Sequence, residues 1–400
     1  MNEVYIIEPV RTPIGKYGGA LSSIRPDDLC ALTIKELIQR TSIPIDIIDD
    51  VIIGCANQAG EDNRNIARMS SLLAGLPYSV PGVTVNRLCA SSLEAIIQGA
   101  RAIKSGEADI IIAGGVESMS RAPYSFPKNA TGSPLFGNLT AYDTALGWRY
   151  PNPAMASMFP LEPMGETAEN IAERWNISRE DQDIYAVNSH KKACEAQESG
   201  AFIDEIVHVP IPGKKGQISY VEKDEQPRHD TSTEKLSVLS AAFRKGGTVT
   251  AGNSSSLNDG ATAVLLASKK AVEMYNLQPI AKYIASGSAG VDPRIMGIGP
   301  VYAIQKALQH SGLKISDIGL CEINEAFAAQ TLACIRELGL NPDIVNIHGG
   351  AIALGHPLGM SGGRIAGHLA RTMKKNDIKY GIASLCIGVG QGLAIIIEKV

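Results

Sequence analysis

Four hundred residues, 44% of them hydrophobic, exceed one typical domain and suffice for two cores. A formal net charge of −4 advertises no polyanion partner, and seven cysteines without short metal-ligand spacing argue for a reducing compartment and against a disulfide framework or zinc site. No apolar run reaches membrane-spanning length. The strand pattern Val4-Tyr5-Ile6-Ile7 starts almost at once, leaving no room for a signal peptide. The terminal Ile-Glu-Lys-Val is no peroxisomal address, so cytoplasm is the expected location.

Along the chain, Cys30 falls on an amphipathic helix with Leu29, Leu32 and Leu37 and reads as packing, as do Cys55, Cys321 and Cys334 in apolar surroundings. Residues 83–88 read as a short strand running into a loop, with a helix close behind. Ser91 and Glu94 have the spacing of a capping box, and Leu93, Ile96, Ile97, Ala100 and Ile103 recur on one helical face. Cys89 therefore lies just ahead of a helix N-terminus, where unpaired N–H groups and the helix dipole lower a thiol pKa. A nucleophile and a small core residue are the two readings of such a cysteine. The strand Asp109–Ala113 follows, ending in Gly114-Gly115.

Composition changes over residues 122–248. Pro123, Pro127, Pro134, Pro151, Pro153, Pro160 and Pro163 interrupt regular structure. Two helical stretches follow, at Glu166–Trp175 and Arg179–Ser199, the second preceded by Ser178 and ended by Gly200. A charged segment runs from Lys214 to Lys235, either a solvated excursion or a lid. Cys194, His190 and His208 belong to this polar region and are expected to be solvated.

Three polar clusters mark the last quarter, each after a strand-like run. Asn324-Glu325-Ala326-Phe327 follows residues 319–323, His348–Gly359 follows 344–347, and Cys386–Gly392 follows 382–385. The C-terminal ends of strands are where open α/β sheets carry their sites, and dense glycines let the backbone approach a ligand. A second cysteine and a histidine complete a set for thiol chemistry: nucleophile, base and separate proton carrier. Residues 83–104 and the strand after them correspond in pattern to residues 344–387, a weak internal repeat.

The blocks N-x-x-C, N-E-A-F, G-H-P and C-x-G-x-G-x-G, in this order, resemble the thiolases, which make or cleave a carbon–carbon bond between acyl groups carried on coenzyme A. The resemblance runs from Arg11-Thr12-Pro13 to the terminal glycine block. It implies an α/β fold of duplicated halves, each a mixed sheet between helices, with an inserted loop domain. The expected boundaries are 1–121 for the N-terminal half (completed by 249–275), 122–248 for the loop or lid domain that holds coenzyme A, and 276–400 for the C-terminal half. Halves packed face to face would bring Cys89, His356 and Cys386 together.

Position by position, the resemblance makes Cys89 the acyl-accepting nucleophile, His356 its base, and Cys386 the acid/base at the substrate α-carbon. Asn324, through a bound water and with His356, forms one oxyanion hole; the N–H groups of Cys89 and Gly388 form the other. For coenzyme A, Ser255 matches a contact to the pantetheine arm and Arg228 one beside the adenine. Phe243 and Met296 match apolar contacts along the arm, although both could equally serve a core. His229 adjoins Arg228. His348 stands where many thiolases have asparagine and is expected to support the site without entering the chemistry. Ser92 and Ser256 replace common glycines of the family, which could tighten their loops.

Pro163-Met164 replaces the His-Met usual in acetoacetyl-CoA-specific biosynthetic thiolases, favouring a broader 3-ketoacyl-CoA thiolase acting degradatively. An acetyl-CoA C-acetyltransferase condensing two acetyl-CoA is the alternative. Residues 147–153, Gly-Trp-Arg-Tyr-Pro-Asn-Pro, also resemble thiolases cleaving 3-oxoadipyl-CoA, where a basic residue could meet a carboxylate tail. A non-catalytic coenzyme A-binding subunit is disfavoured, since binding alone has no need of Cys386. No metal or redox cofactor is expected, coenzyme A and acyl-CoA being substrates, and neither nucleic acid nor membrane is an expected partner. The resemblance implies a homodimer or a tetramer of dimers.

Overall fold

The computed structural model describes residues 2–128 and 138–400, so Pro134 lies outside the described residues. In the first half, β1 (Val4–Arg11) and the short β2 (Gly15–Lys16) lead to α1 (Pro26–Thr41), β3 (Asp50–Gly54), α2 (Ile66–Leu73), β4 (Gly82–Val85), α3 (Ser91–Ser105) and β5 (Ile110–Ser118). Two small antiparallel pairs follow, β6 (Tyr124–Ser125) with β7 (Tyr142–Asp143) and β8 (Val209–Pro212) with β9 (Ile218–Val221). Around them stand α4 (Pro153–Met158), α5 (Met164–Arg174), α6 (Arg179–Glu198) and α7 (Thr233–Ser237). The chain then returns through β10 (Asn258–Ser268) and α8 (Lys269–Met274). The second half runs β11 (Ala281–Gly290), α9 (Gly299–Ser311), β12 (Leu320–Ile323), α10 (Ala328–Leu338), α11 (Ala351–Leu354), α12 (Leu358–Lys375), β13 (Tyr380–Ile387) and β14 (Gln391–Lys399).

The main sheet has ten strands, nine of them in the order β12-β13-β14-β11-β1-β10-β5-β3-β4, with β2 beside β10. In the first half β1, β10 and β5 are antiparallel neighbours, and β5, β3 and β4 are parallel. The second half repeats this: β11, β14 and β13 are antiparallel, and β13 and β12 parallel. Helices α3 and α12 lie together between the halves. Leu93, Ile96 and Ile97 of α3 and Ile365, Leu369 and Met373 of α12 share one apolar cluster with Ile111, Leu266, Leu385 and Ile395. Their approach is close because Gly362 has no side chain; a Cβ there would come within 2.6 Å of the Leu93 backbone nitrogen. A second cluster packs α1 and α2 on the outer face of the first half, and a third packs α9 and α10 on the second. The result is five layers, with the α3 and α12 N-termini inside.

Three expectations are corrected. Residues 344–347 do not form a strand; a 3₁₀ turn covers Pro342–Ile344, and only Val345 bridges Cys321 in parallel. The Asn346 side chain takes the strand's place. Its Oδ1 accepts from Ile323 N–H at 2.9 Å, its Nδ2 donates to the Ile323 carbonyl at 2.8 Å, and its own backbone is left-handed (φ 46°). The strand from Ile110 continues through Gly114-Gly115 to Ser118, because Gly115 lets the Gly359 carbonyl of α12 sit against it. Cys194 and His190 are buried, since α6 is wedged under the 348–356 loop, where Ser189 Oγ accepts from Gly350 N–H at 3.1 Å. The charged segment is anchored too: Asp224 is buried and pairs with Arg11 at 2.7 Å. The two long helices of this region lie near their expected places, α6 with Ser178 accepting from Asp181 N–H at 3.0 Å.

Candidate active site

Cys89 occupies a 3₁₀ turn, Leu88–Ala90, between β4 and α3. The expected capping box does not form. Ser91 Oγ accepts from Arg87 N–H at 2.9 Å and donates to the Leu88 carbonyl at 2.7 Å, bracing the turn from inside. Glu94 instead pairs with Arg87 at 2.8 Å, and Arg87 Nη1 reaches Gln391 Oε1 at 3.1 Å. That arginine ties the Cys89 turn to the loop carrying Cys386 and Gly388. Both loops hold a non-glycine residue in the left-handed region, Leu88 (φ 47°) and the β-branched Val389 (φ 65°). Such conformations cost about 1–3 kcal/mol each and cluster where surroundings enforce a functional geometry.

The backbone N–H groups of Gly388 and of Cys89 itself lie close enough to the Cys89 sulfur to favour its thiolate. Burial nevertheless dominates and pushes the thiol up to about 11, opposite to the lowering expected from the helix N-terminus. Cys386 is buried beside it; burial and the neighbouring Cys89 carry its thiol well above the ordinary range.

His356 follows Gly355, whose φ of +105° and contact with Asn258 leave no room for a side chain. Asn258 Oδ1 accepts from His356 N–H at 2.9 Å. The ring lies between two partners, Ser361 Oγ at 2.6 Å from Nδ1 and Asn324 Nδ2 at 3.4 Å from Nε2. Because the Ser361 hydroxyl donates to the Pro357 carbonyl at 2.8 Å, it accepts from the imidazole. This assigns the proton to Nδ1 and leaves Nε2 as the acceptor on the side of Asn324. Burial, with Arg364 nearby, pushes His356 down to about 3, so the ring rests neutral. Asn324 Oδ1 is buried without a partner among the described residues.

An apolar wall adjoins these groups: Ala168, Val249, Met296, Ala326 and Phe327 cluster with Cys386, and Met164 packs on them. A Cβ on Gly388 would stand 3.3 Å from Leu88 and 3.5 Å from Met164. Phe243 is 44% exposed, lies against Gly165 and meets Phe327 edge-on at 6.2 Å. Ser255 is tied to the same wall through its N–H to the Ala326 carbonyl at 3.0 Å. Arg228 is exposed, and its backbone N–H donates to His190 Nδ1 at 3.2 Å. The structure thus gathers Cys89, Cys386, His356, Asn324, Gly388, Met296, Phe243 and Ser255, with Arg228 on the outer surface.

Several supporting residues carry no motif signal. Asn258 links outward through Ser256 Oγ (2.8 Å) to Gln226 (2.8 Å), so Ser256 extends the chain that holds the His356 backbone. Ser92 Oγ accepts from Gly363 N–H at 2.7 Å, joining α3 to α12. Glu117 accepts N–H groups of Ala56, Asn57 and Gly359, seating the first turn of α12. Glu325, inside the N-E-A-F block, turns away from Cys89 and bonds Tyr185, Ser189 and Asn346. His348 bonds His368 (3.0 Å), which pairs with Glu205 (2.9 Å) and through it Arg11, a buried network behind the site.

Among the described residues, Cys55, Asp62 and Glu117 are buried with ligand-type atoms within 4.8 Å of one another. Backbone amides already occupy both carboxylates, and burial with the nearby acids carries the Cys55 thiol well up, so these groups form a hydrogen-bonded cluster. Among the described residues no helix is long and apolar enough to cross a membrane.

Comparison with known proteins shows the family. The family description "Thiolase, N-terminal domain" matches residues 4–270, and "Thiolase, C-terminal domain" matches 277–399. The chain is 52% identical over 403 residues to the 3-oxoadipyl-CoA/3-oxo-5,6-dehydrosuberyl-CoA thiolase of Escherichia coli K12, covering all of both chains. It is also 52% identical over 404 residues to a beta-ketoadipyl-CoA thiolase of Acinetobacter baylyi, again over the full length of both. Among solved structures, the Bacillus anthracis acetyl-CoA acetyltransferase superposes with a TM-score of 0.94 at 41% identity, covering 100% of this chain and 99% of that one. Human mitochondrial 3-ketoacyl-CoA thiolase in complex with CoA gives 0.92 at 40%, covering 100% and 98%. With both halves matched and identity above half along its whole length, the chain belongs to the thiolases, an acyltransferase family.

Proposed function

We propose that this thiolase cleaves 3-oxoadipyl-CoA with coenzyme A, giving acetyl-CoA and succinyl-CoA. The observation that carries the reading is the full-length 52% identity to proteins named for that substrate. It narrows the broader 3-ketoacyl-CoA expectation to one that residues 147–153 had suggested only faintly. Pro163 in place of the histidine expected of an acetoacetyl-CoA-specific enzyme supports the same direction.

His356 Nε2 takes the Cys89 proton as the sulfur attacks the ketone carbon of the substrate. The oxygen that becomes negative is received by the N–H groups of Cys89 and Gly388, donors fixed before substrate arrives; losing one such donor typically costs about a hundredfold to a thousandfold. The bond between the second and third acyl carbons then breaks. Its electron pair passes to the departing acetyl-CoA as an enolate, whose oxygen lies toward Asn324 and protonated His356. Cys386 delivers a proton to that carbon, leaving succinyl on Cys89. Coenzyme A enters along the Met296, Phe243 and Ser255 wall, and Cys386 thiolate takes its thiol proton as it attacks the thioester. Succinyl-CoA departs, and Cys89 recovers its proton from His356.

The test is thiolysis with coenzyme A on 3-oxoadipyl-CoA, a medium-chain 3-ketoacyl-CoA and acetoacetyl-CoA. The largest kcat/KM is expected for 3-oxoadipyl-CoA. Turnover of acetoacetyl-CoA alone would refute the proposal and favour the acetyltransferase.

A further inference from the structure

We infer that Arg149 is the specificity residue that receives the terminal carboxylate of the substrate acyl chain, an inference that rests on the proposed 3-oxoadipyl-CoA reading. Its segment is clamped between two walls of the site. On one side Trp148 Nε1 donates to the Glu162 carbonyl at 3.1 Å, two residues before Met164, which faces Gly388. On the other side Arg149 grips Asn57. The neighbouring Ala56 carbonyl accepts from Asn86 Nδ2 at 2.9 Å, and Asn86 Oδ1 accepts from Leu88 N–H at 2.9 Å, one residue from Cys89. Tyr150, its ring packed at a tilt against Tyr142 with centroids 4.9 Å apart, holds the far end of the segment.

Partial burial sets the Arg149 guanidinium apart from Arg174 and Arg228, exposed arginines of the same region that also have no carboxylate partner among the described residues. Arg121, Arg179 and Arg244 each pair with a carboxylate. Arg149 is half-buried, and among the described residues no carboxylate accepts from it. Nη1 donates to Asn57 Oδ1 at 2.8 Å and to the Thr144 carbonyl at 3.0 Å, and Nη2 donates to the Asn57 carbonyl at 3.0 Å. A guanidinium has five N–H groups and never loses its charge in a protein. These three neutral acceptors use one end of it. The Nε–H and the second Nη2–H remain, side by side on one edge, as the fork that matches the two oxygens of a carboxylate. Partial burial of a charge without a counter-charge is unfavourable, and an incoming anion relieves it.

The length of the acyl group agrees with this. In 3-oxoadipyl-CoA the carboxylate lies three carbon–carbon bonds beyond the carbon that Cys89 attacks, about 4–5 Å when extended at about 1.5 Å per bond. An anion so close to the reacting carbon has to be met by a cation carried on a segment tied to the walls of the site, as residues 148–149 are through Glu162 and Asn57.

The experiment compares 3-oxoadipyl-CoA with 3-oxohexanoyl-CoA, which has the same six-carbon chain with a methyl group in place of the carboxylate, in the wild type, R149Q and R149K. The readout is the ratio of the two kcat/KM values, in which damage to the loop cancels because both substrates use it. R149Q is expected to lower that ratio on the order of a hundredfold, as for loss of one partner of a desolvated charge pair, and R149K to lower it less, retaining charge without the fork. If R149Q does not fold, R149K decides by the same ratio. A ratio within threefold of wild type in the folded variants would overturn the assignment of Arg149 while leaving the proposed substrate standing. A wild type that does not turn over 3-oxoadipyl-CoA would overturn both.

Discussion

Replacing Ser361 with alanine removes the acceptor that fixes the His356 ring. Ser361 Oγ is 2.6 Å from Nδ1 and is held by the carbonyl of Pro357, the residue just ahead of α12. In the variant a buried Nδ1–H loses its partner, at about 1–3 kcal/mol. The ring can escape that cost by turning or by moving its proton to Nε2, and either change takes the lone pair away from Cys89. If the whole penalty falls on the transition state, kcat drops about five- to 150-fold. Ser361 sits behind the imidazole, so KM for coenzyme A should change little. The assay is steady-state thiolysis at saturating substrate, paired with a thermal melt to establish that the variant is folded. A folded S361A enzyme with kcat within twofold of wild type would refute the claim that this hydroxyl sets the tautomer.

Cys386→Ala should abolish turnover by about a hundredfold to ten-thousandfold while Cys89 still accepts an acyl group, visible as a mass increase of the intact protein with acyl-CoA; undiminished turnover would remove Cys386 from the mechanism. Because burial raises the Cys89 thiol to about 11, the thiolate fraction near neutrality is small, and its alkylation by iodoacetamide should climb about tenfold per pH unit from 7 to 9. A plateau below pH 7 would show instead a preformed thiolate–imidazolium pair. For Glu205, burial opposes the charge, but His368 and Arg11 outweigh it and hold the carboxyl below its ordinary 4.5; His368 is in turn held above its ordinary 6.5, Glu205 outweighing burial. The carboxylate's contribution is complete above pH 4.5 and fades as pH falls; that of His368 is complete below pH 6.5 and fades as pH rises. Glu205→Gln should therefore cost most stability, about 3 kcal/mol, between pH 4.5 and 6.5 in chemical denaturation, with the difference narrowing outside that window. A difference independent of pH would show that packing, and not charge, is what Glu205 supplies.

What could be read from the sequence divides along physical lines. The α3 and α12 faces were legible because Leu93, Ile96, Ile97 and Ile365, Leu369, Met373 recur with the helical period and bury on one side. The reactive loops were legible because glycine, cysteine, histidine and asparagine stand together after strand-like runs. The spacing of Ser91 and Glu94 misled, because Arg87, an exposed-looking residue in sequence, captures Glu94 and draws Ser91 inward. Helix position alone suggested an acidic Cys89; burial, which depends on residues hundreds of positions away, reverses the direction. The strand at 344–347 failed for a local reason invisible to hydrophobic pattern, since one asparagine side chain supplies the two bonds a peptide would have made. Asn258 and Glu117 act through hydrogen bonds to partners distant in the chain, and Ser361, though near His356, lies outside every motif. Single polar residues of that kind carry no periodicity to notice.

The place of β14 in the sheet has a consequence for synthesis. Among the described residues these nine form the last strand of the sheet in chain order, yet they lie between β13 and β11 in the interior of the second half. Until they arrive, β13 has no antiparallel neighbour, the Cys386 turn has no returning limb, and Arg87 lacks Gln391. A nascent chain can thus carry Cys89 and His356 long before it can align them, with an open strand edge exposed meanwhile. A chain truncated before Gln391 should aggregate through that seam while its first half still resists proteolysis.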